Sequence, residues 1–385
     1  MIPLARMLKY GSIAPVQVTI KKILFSGNGA LLLMSDGNLY VRGQNAAATF
    51  GDGSAANTIY TGDWRLSTTN VKDVWTSGGA SLCIKNDNTV LSSGAIRALT
   101  GSMHLSTQIW TDRTSYFVNA GCNVANIKDM AYGAFDCFIV MNDGSTYSGG
   151  LNVSGQHGDG NLTGRAFALN PNYTNIKKVS MTDSSSSGTF WALSNDGTLY
   201  GAGTSSKGEL LTTGTSFPTK RTLTTGVIDF CGFQTYCVLC TKSDGIYVWG
   251  SQFNAQLGDG VNGTNIDTQF RSTIYKLPGF STAPDYLYNA VFTTFIRHNG
   301  SWYSAGVANK GGTGSTGVNT TFTVVQSNNI SSVAGVAIGT GNTYFAGVDA
   351  RQLYGTGQYS ATIDLLPGYT ASQTLFVLLN NAGIS

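Results

Sequence analysis

Short apolar runs alternate along the chain with polar turns that are rich in glycine. One example is the apolar run at residues 31–34, which is followed by Asp36-Gly37 and a second run at residues 39–41. Runs this short are typical of β-strands, because amphipathic helices need longer periodic segments. Asp-Gly between two such runs favours a hairpin, since a type I′ turn needs positive φ at both central residues. The pattern predicts an all-β protein built from hairpins.

The hairpin pattern recurs along the whole chain, each time with a glycine soon after its second strand. The turn pairs are Asp36-Gly37, Asp143-Gly144, Asp196-Gly197, Asp244-Gly245 and Asn299-Gly300, with worn copies at Asp87-Asn88 and Gly341-Asn342. Successive copies lie about fifty residues apart, which is the length of one four-stranded propeller blade. Seven hairpins at this spacing predict seven blades.

A second pattern, Gly-Asp-Gly, follows three of the hairpins at a fixed distance. It occupies residues 51–53, 158–160 and 258–260, and each aspartate comes 12 residues after the tyrosine of its hairpin. Weaker forms occupy residues 208–211, 312–314 and 354–357. A calcium site needs about six to eight oxygens, and each loop supplies one aspartate. Phosphate-binding glycine loops open a helix, whereas these lie between strands. We therefore interpret them as turns, with glycine at positive φ and aspartate bonding its own backbone.

Together the two patterns resemble the repeat of the regulator of chromosome condensation family, in the form DGxLYxxGxNxxGQLGDG. Residues 150–160 and 250–260 match it best, and the resemblance covers about residues 20–360. It implies an all-β fold, a seven-bladed β-propeller of four-stranded antiparallel blades. The sequence departs from the family at the small or histidine position in the strand before each hairpin. The family includes a nucleotide exchange factor for a small nuclear GTPase, secreted β-lactamase inhibitors and bacterial surface proteins.

These repeats divide the chain into a short arm and one domain. We expect residues 1–15 to form an amino-terminal arm and residues 16–385 to form a single seven-bladed propeller domain. The blades are placed at about residues 20–72, 73–126, 127–176, 177–226, 227–285, 286–329 and 330–385. A propeller must close its ring to hide its sheet edges. Either residues 16–25 or residues 375–379 could supply a strand to the last blade.

Composition narrows the possible functions. Charged residues make up 11% of the chain, the formal net charge is +3, and Glu209 is the one glutamate. A coiled coil needs charged e and g positions, and a nucleic-acid binder needs clustered cations, so both are disfavoured. No apolar run reaches the length of a membrane span. The amino terminus lacks the apolar stretch of a signal peptide. We predict neither nucleic-acid binding nor membrane insertion.

No arrangement of residues indicates catalysis, a metal site or a cofactor. The three histidines, His104, His157 and His298, lie at differing repeat positions, and Glu209 takes a position that holds Gln156 and Gln256 in other copies. Cys237 and Cys240 have CxxC spacing within a predicted strand, where side chains three apart point to opposite faces. That geometry favours two buried thiols over a zinc or redox pair. We predict a protein that is not an enzyme and needs no cofactor.

The long segments after the hairpins of blades two, three and five carry the candidate ligand-binding residues. Aromatic and arginine side chains suit recognition surfaces because they offer large contact area at low entropy cost. The alternative is that these side chains pack in the outer strands. The candidates are Trp110, Arg113, Tyr116, Phe117, Tyr173, Phe270, Arg271 and Tyr275.

Low charge with abundant Gly, Ser, Thr, Asn and Tyr resembles the composition of bacteriophage fibres and adhesins. We therefore expect a non-enzymatic binding module, a phage tail or receptor-binding protein that recognises a host surface protein or glycan. Its partners would be other virion or surface-assembly proteins and a host cell-surface receptor, and its location the virion tail or otherwise extracellular. The alternative is a protein-binding regulator, either exchange-factor-like or an enzyme inhibitor. A third possibility is an intracellular scaffold.

Overall fold

The computed structural model describes most of the repeat region. It covers residues 18–26, 29–77, 79–101, 105–133, 135–182, 188–232, 237–263, 269–289, 293–307, 313–314, 317–326, 332–338, 343–349, 352–357 and 373–378. The predicted amino-terminal arm, residues 1–15, lies outside the described residues.

Each set of four consecutive strands forms one antiparallel sheet in chain order. The first sheet contains β1 (Ile20–Ser26), β2 (Gly29–Met34), β3 (Leu39–Gln44) and β4 (Ile59–Thr68). The second contains β5 (Val71–Thr76), β6 (Ala80–Lys85), β7 (Val90–Ile96) and β8 (Leu105–Asp112). The third contains β9 (Ile127–Tyr132), β10 (Asp136–Met141), β11 (Thr146–Gly150) and β12 (Arg165–Leu169). The fourth contains β13 (Ile176–Met181), β14 (Thr189–Ser194), β15 (Leu199–Ser205) and β16 (Gly214–Thr224).

The remaining sheets repeat this order. The fifth contains β17 (Asp229–Gly232), β18 (Cys237–Lys242), β19 (Gly245–Ser251) and β20 (Phe270–Lys276). The sixth contains β21 (Tyr286–Asn289), β22 (Thr293–His298), β23 (Ser301–Val307) and β24 (Val318–Val324). The last contains β25 (Ser332–Ile338), β26 (Thr343–Asp349), β27 (Gln352–Gly357) and β28 (Gln373–Leu378). A short helix, α1 (Thr114–Asn119), follows β8, and 3₁₀ turns occur at Ala46–Ala48 and Val124–Asn126. In the described part of the chain, no helix is long and apolar enough to cross a membrane.

The six sheets of β1–β24 are blades of a β-propeller. Their first strands lie innermost, each beside the first strand of the next blade, and β1 also contacts β25. The predicted all-β propeller of four-stranded antiparallel blades is confirmed. Strands β1–β24 form six blades whose side-chain packing is described, and the sheet of β25–β28 is described by its backbone pairing. The count of seven blades in one closed ring stays a prediction.

Of the two segments considered for the last blade, the carboxy-terminal one lies in the last sheet. β28 pairs with β27 there, and β1 pairs with β2 in the first sheet. The two ends of the repeat region therefore belong to different sheets, and β1 lies beside β25.

The hydrophobic core lies between neighbouring blades. Phe138 of β10 stacks on Phe190 of β14, with ring centroids 3.6 Å apart. Strand β18 shows why both faces of a middle strand are apolar. Its Cys237 packs towards Ile296 of blade six, and its Cys240 packs towards Trp191 of blade four. This confirms that the CxxC cysteines point to opposite faces. Burial raises the pKa of Cys240 to about 12.

The Asp-Gly turns join the second and third strands as expected, but most are not type I′ turns. In the first blade the amide of Gly37 donates to the carbonyl of Met34 at 3.0 Å, and Met34 donates to Asn38 at 2.9 Å. Only the glycine of this three-residue loop has positive φ, +86°. Gly144 and Gly197 adopt the same conformation, with φ of +81° and +84°. This is a type I turn closed by one left-handed residue.

The aspartate side chain explains why this turn is preferred. Its carboxylate accepts the amide two residues on, at 2.9 Å for Asp36 and Asn38 and at 3.0 Å for Asp196 and Thr198. Such local bonding is what suits aspartate to turns. The type I′ prediction is therefore wrong for the Asp-Gly turns. It is correct for Asn299-Gly300, where φ is +51° and +76°.

Two other copies differ from the predicted hairpin. Gly245 pairs with Lys242 across a two-residue loop and has φ of +141°. In the last sheet Thr343 begins the second strand instead of the third. The second and third strands there turn between the paired residues Asp349 and Gln352, so the seventh hairpin was assigned to the wrong pair of strands. Gly341 and Asn342 lie outside the described residues.

The hairpin of blade two, which has Asp87-Asn88 in place of Asp-Gly, offers a direct test of the turn geometry. Asn88 occupies the left-handed position with φ of +67°. Replacing Asn88 by glycine is expected to raise the free energy of unfolding by about 0.5 kcal/mol, because glycine adopts positive φ without steric cost. Asn86→Gly, in the same loop but without positive φ, is the control and should lower stability. Urea unfolding of both variants checks this, and a less stable Asn88→Gly would contradict the assigned turn.

Candidate protein-binding face

The Gly-Asp-Gly loops connect each odd blade to the next one. Asp52 forms a β-bridge with Ile109 of blade two, Asp159 with Thr219 of blade four, and Asp259 with Thr321 of blade six. The bridged partners lie in the outer strands of those blades. The flanking glycines adopt nearly identical φ in all three copies. The glycine before each aspartate has φ of +64° or +65°, and the glycine after it has φ of +85° or +88°. The predicted turns at positive φ are confirmed, and they also join neighbouring blades.

Each of these aspartates is also paired with an arginine of its own outer strand. The nitrogen-to-oxygen distances are 3.3 Å for Arg65 and Asp52, 3.9 Å for Arg165 and Asp159, and 2.8 Å for Arg271 and Asp259. Asp259 is fully buried and accepts two bonds from Arg271 and one from Gln252. These carboxylate oxygens therefore hold the loop to its blade, and Arg271 has a structural role.

The other predicted ligand-binding residues are distributed over two outer strands, α1 with the residue before it, and the segment after β12. Trp110 covers Gly51, and its indole donates to Ser67 at 2.8 Å. Arg113 donates to Ser92, and the ring of Tyr275 lies 4.4 Å from the guanidinium of Arg271. Tyr116 of α1 packs on the core, and the half-buried Phe270 begins β20. The structure does not bring these side chains into one site.

Phe117 and Tyr173 require a correction. Both have no exposed surface, and they pack on Phe167 and Phe190 respectively. A side chain without exposed surface cannot contact a ligand, so these two aromatics belong to the core. Aromatic residues in the helix and the loop that follow an outer strand pack into the core here, which composition alone does not distinguish from a recognition surface. Ligand binding by the remaining candidates stays a prediction.

A different set of residues is apolar and exposed at one end of the blades. The loops between third and fourth strands lie at one end of the blades, which we call the loop face; the Asp-Gly turns lie at the opposite end, the hairpin face. Ile59, Val153, Leu162 and Val261 lie in or beside these loops and are 46%, 42%, 51% and 39% exposed. They belong to blades one, three and five, the blades with Gly-Asp-Gly loops. Sequence reasoning missed them, although apolar residues within otherwise polar loops were the available signal.

The hairpin face is acidic at its edge. The carboxyls of Asp87, Asp143 and Asp196 accept bonds from hydroxyls and amides of their own turns, which lowers their pKa. A hydrogen bond from Lys276 lowers the pKa of Asp244. These groups are exposed and therefore charged at neutral pH. They form an edge of negative charge around the central channel.

The central channel is lined by the inner strands and contains two levels of charged residues. The rim level, at the hairpin face, holds Lys21, Lys72, Lys128, Lys177, Ile228 and Asp285 in successive blades. The level beneath holds Lys22, Asp73, Asp129, Lys178, Asp229 and Tyr286. Lys22 pairs with Asp73 at 3.0 Å and Lys178 with Asp229 at 2.7 Å, each across a blade boundary. The amide of Val179 donates to Asp129 at 2.9 Å. Burial raises the pKa of Asp129.

Two buried polar groups lie behind the loop face. His157 is fully buried, with Nε2 3.2 Å from Oδ1 of Asp136. Glu209 is also fully buried; its Oε2 accepts the amide of Lys207 at 2.6 Å, and its Oε1 has no hydrogen-bond partner within the described residues. Burial raises the pKa of Glu209 to about 7. Because neither side chain reaches the surface, both belong to the packing between blades.

Solved structures share this fold. Prp20p of Saccharomyces cerevisiae aligns with a TM-score of 0.65 and 14% identity over 83% of this chain and 80% of its own. Human WBSCR16 aligns with a TM-score of 0.62 and 15% identity over 83% of this chain and 84% of its own. Yeast RCC1 (Prp20), solved with Kap60, aligns with a TM-score of 0.63 and 14% identity over 83% of this chain and 78% of its own. These TM-scores show a common propeller fold. No family model matches the chain, and no curated protein matches it either.

Proposed function

We propose that this propeller is a non-enzymatic protein-binding module that engages its partner through the loop face. The observation that carries the proposal is the set of exposed apolar side chains at Ile59, Val153, Leu162 and Val261. Exposed apolar side chains also occur away from these loops, at Val118, Leu169 and Val324; what sets the loop-face residues apart is that they lie in or beside loops anchored to the neighbouring blade. The loops that carry them are fixed by inter-blade bridges and ion pairs, so little ordering entropy is lost on binding.

The structural relatives support a regulatory role more than a role in host attachment. Prp20p is described with its binding to Gsp1p and histones, and yeast RCC1 with bound Kap60. We propose by analogy that the partner of this chain is also a protein and that binding regulates it. Fold alone does not determine function. The phage tail role suggested by the composition gains no support from these relatives and stays a prediction.

The test compares two triple variants with equal numbers of new charges. Val153→Asp/Leu162→Asp/Val261→Asp alters the loop face. Val118→Asp/Leu169→Asp/Val324→Asp alters equally exposed valines and leucine at α1 and at the hairpin-face ends of outer strands. The partner is identified by cross-linking in cells that express the chain, and its affinity is measured with purified proteins. The loop-face variant should bind at least about tenfold more weakly, a loss of about 1.4 kcal/mol.

The control variant should keep the affinity of the unaltered chain. Equal loss in both variants, or an unchanged affinity in the loop-face variant, would remove the loop face as the binding site. Release of fluorescent GDP from a small GTPase, measured with the same proteins, distinguishes an exchange-factor-like regulator from an inhibitor or scaffold.

A further inference from the structure

We infer that the channel mouth at the hairpin face is a binding site for a compact polyphosphate anion. The site is centred on Lys72 and Lys128, at the rim of the adjacent inner strands β5 and β9, with Lys21 and Lys177 beside them. It lies on the face opposite the proposed protein-binding loops. Its ligand binding is therefore independent of the proposed function.

The position of these lysines follows from the local fold. Val71 begins its inner strand by donating to the carbonyl of Gly37 at 2.9 Å, which places the next residue at the hairpin face. Val71 and Val74 are buried in the core between blades. Lys72 and Asp73 lie between these two valines in the sequence and on the channel side of the strand. The equivalent residues of four successive blades place four lysines at one level of the channel mouth.

Charge is concentrated here in a chain that otherwise has little. The two channel levels contain six lysines and four aspartates, whereas the whole chain has 23 lysines and arginines and 20 acidic residues. Like charges at equivalent positions of neighbouring strands repel one another, and the cost grows where water is partly excluded. An anion bound at the mouth would remove that repulsion.

The nearby carboxylates do not neutralise Lys72 and Lys128. Asp73 is paired with Lys22, and Asp129 accepts the amide of Val179. Lys21 donates to the carbonyl of Lys72, and Lys177 donates to that of Ile228 at 2.9 Å, so both are held at the rim. Within the described residues Lys72 and Lys128 have no ion pair. Their ammonium groups are available to a ligand.

The surrounding charge selects the size of the anion. Asp36, Asp87, Asp143 and Asp196 stand at the tips of the hairpins around the mouth. An extended polyanion such as nucleic acid would have to cross these carboxylates and would be repelled. A compact anion that enters the mouth on the side of blades one to four contacts the rim lysines without crossing the hairpin carboxylates. Lysine donates as a point charge to phosphate oxygens, which suits this chemistry.

Calorimetric titration of the full chain at low salt tests the site. The probes are inorganic tripolyphosphate, ATP, inositol hexakisphosphate and duplex DNA, with sulfate at matched ionic strength. We expect one tripolyphosphate per chain. Lys72→Gln/Lys128→Gln should weaken it at least about tenfold, and Lys72→Arg/Lys128→Arg should restore it. The order of affinity for ATP and inositol hexakisphosphate identifies the source of the phosphate.

The control is Lys85→Gln/Lys242→Gln, two lysines that donate to threonine hydroxyls on the same face. It should bind within about twofold of the unaltered chain, as should the loop-face triple variant. Melting temperatures verify that each variant is folded. No binding of any polyphosphate, equal loss in the control, or tighter binding of DNA than of tripolyphosphate would overturn the inference.

Discussion

Gly245→Val and Gly144→Val are expected to lower the free energy of unfolding by about 3 kcal/mol or more each. A Cβ at Gly245 would lie 2.2 Å from the carbonyl oxygen of Phe280, and φ there is +141°. A Cβ at Gly144 would lie 2.9 Å from Cα of Asn175, with φ of +81°. Both neighbours are backbone atoms of the segment that leads to the next blade, which a side-chain rotation cannot relieve. Steric overlap and unfavourable φ therefore add.

Gly226→Val is the matched control for these two variants. Gly226 has φ of +73°, but a Cβ there would meet no atom within 4 Å. Its cost should be that of the left-handed conformation alone, roughly 1–2 kcal/mol. Urea unfolding followed by tryptophan fluorescence measures all three variants. If Gly226→Val were as damaging as the other two, the close contact between hairpin and following blade would be wrong.

Glu209→Gln is expected to stabilise the protein at neutral and higher pH and to leave it unchanged near pH 4. Burial raises the pKa of this carboxyl to about 7, from 4.5 as the reference value. Between these values the folded state keeps its proton while the unfolded state loses it, so stability falls as pH rises. Above pH 7 the folded state carries the full cost of a buried charge. The difference corresponds to about 3 kcal/mol.

Glutamine fits because the same position holds Gln156 in blade three and Gln256 in blade five, both fully buried. Gln156→Glu is the reciprocal variant. The amide of Gln156 donates to Asp136 at 3.0 Å, so a glutamate there would oppose a second carboxylate and destabilise the protein as pH rises. Thermal unfolding from pH 4 to pH 8 measures both. Parallel pH profiles for Glu209→Gln and the unaltered chain would contradict the unpaired carboxylate.

The repeat made the fold predictable, because hairpin turns and apolar runs are local signals. The fifty-residue spacing indicated four-stranded blades without any long-range information, and the alternation of Cys237 and Cys240 predicted their opposite faces. The turn type was harder to predict. Asp36-Gly37 satisfies the sequence rule for a type I′ turn, yet the bond from its carboxylate to Asn38 favours the three-residue loop.

The candidate site was less predictable because it depends on contacts between blades. Tyr173 has the composition of a recognition residue, whereas its ring covers Gly158; Trp110 likewise covers Gly51, and its ligand binding stays a prediction. Those contacts join segments far apart in sequence. The channel lysines illustrate the same limit. Lys72 and Lys128 look like isolated cations until the propeller sets their strands side by side.

Hydrogen exchange of the chain, alone and in complex with its purified partner, tests binding through the loop face most directly. Binding through this face predicts slower exchange in residues 45–58, 151–164 and 252–263, the loops of blades one, three and five. The hairpin tips at residues 35–38, 142–145 and 195–198 should exchange unchanged. Protection of the hairpin tips without protection of the loops would contradict binding through the loop face.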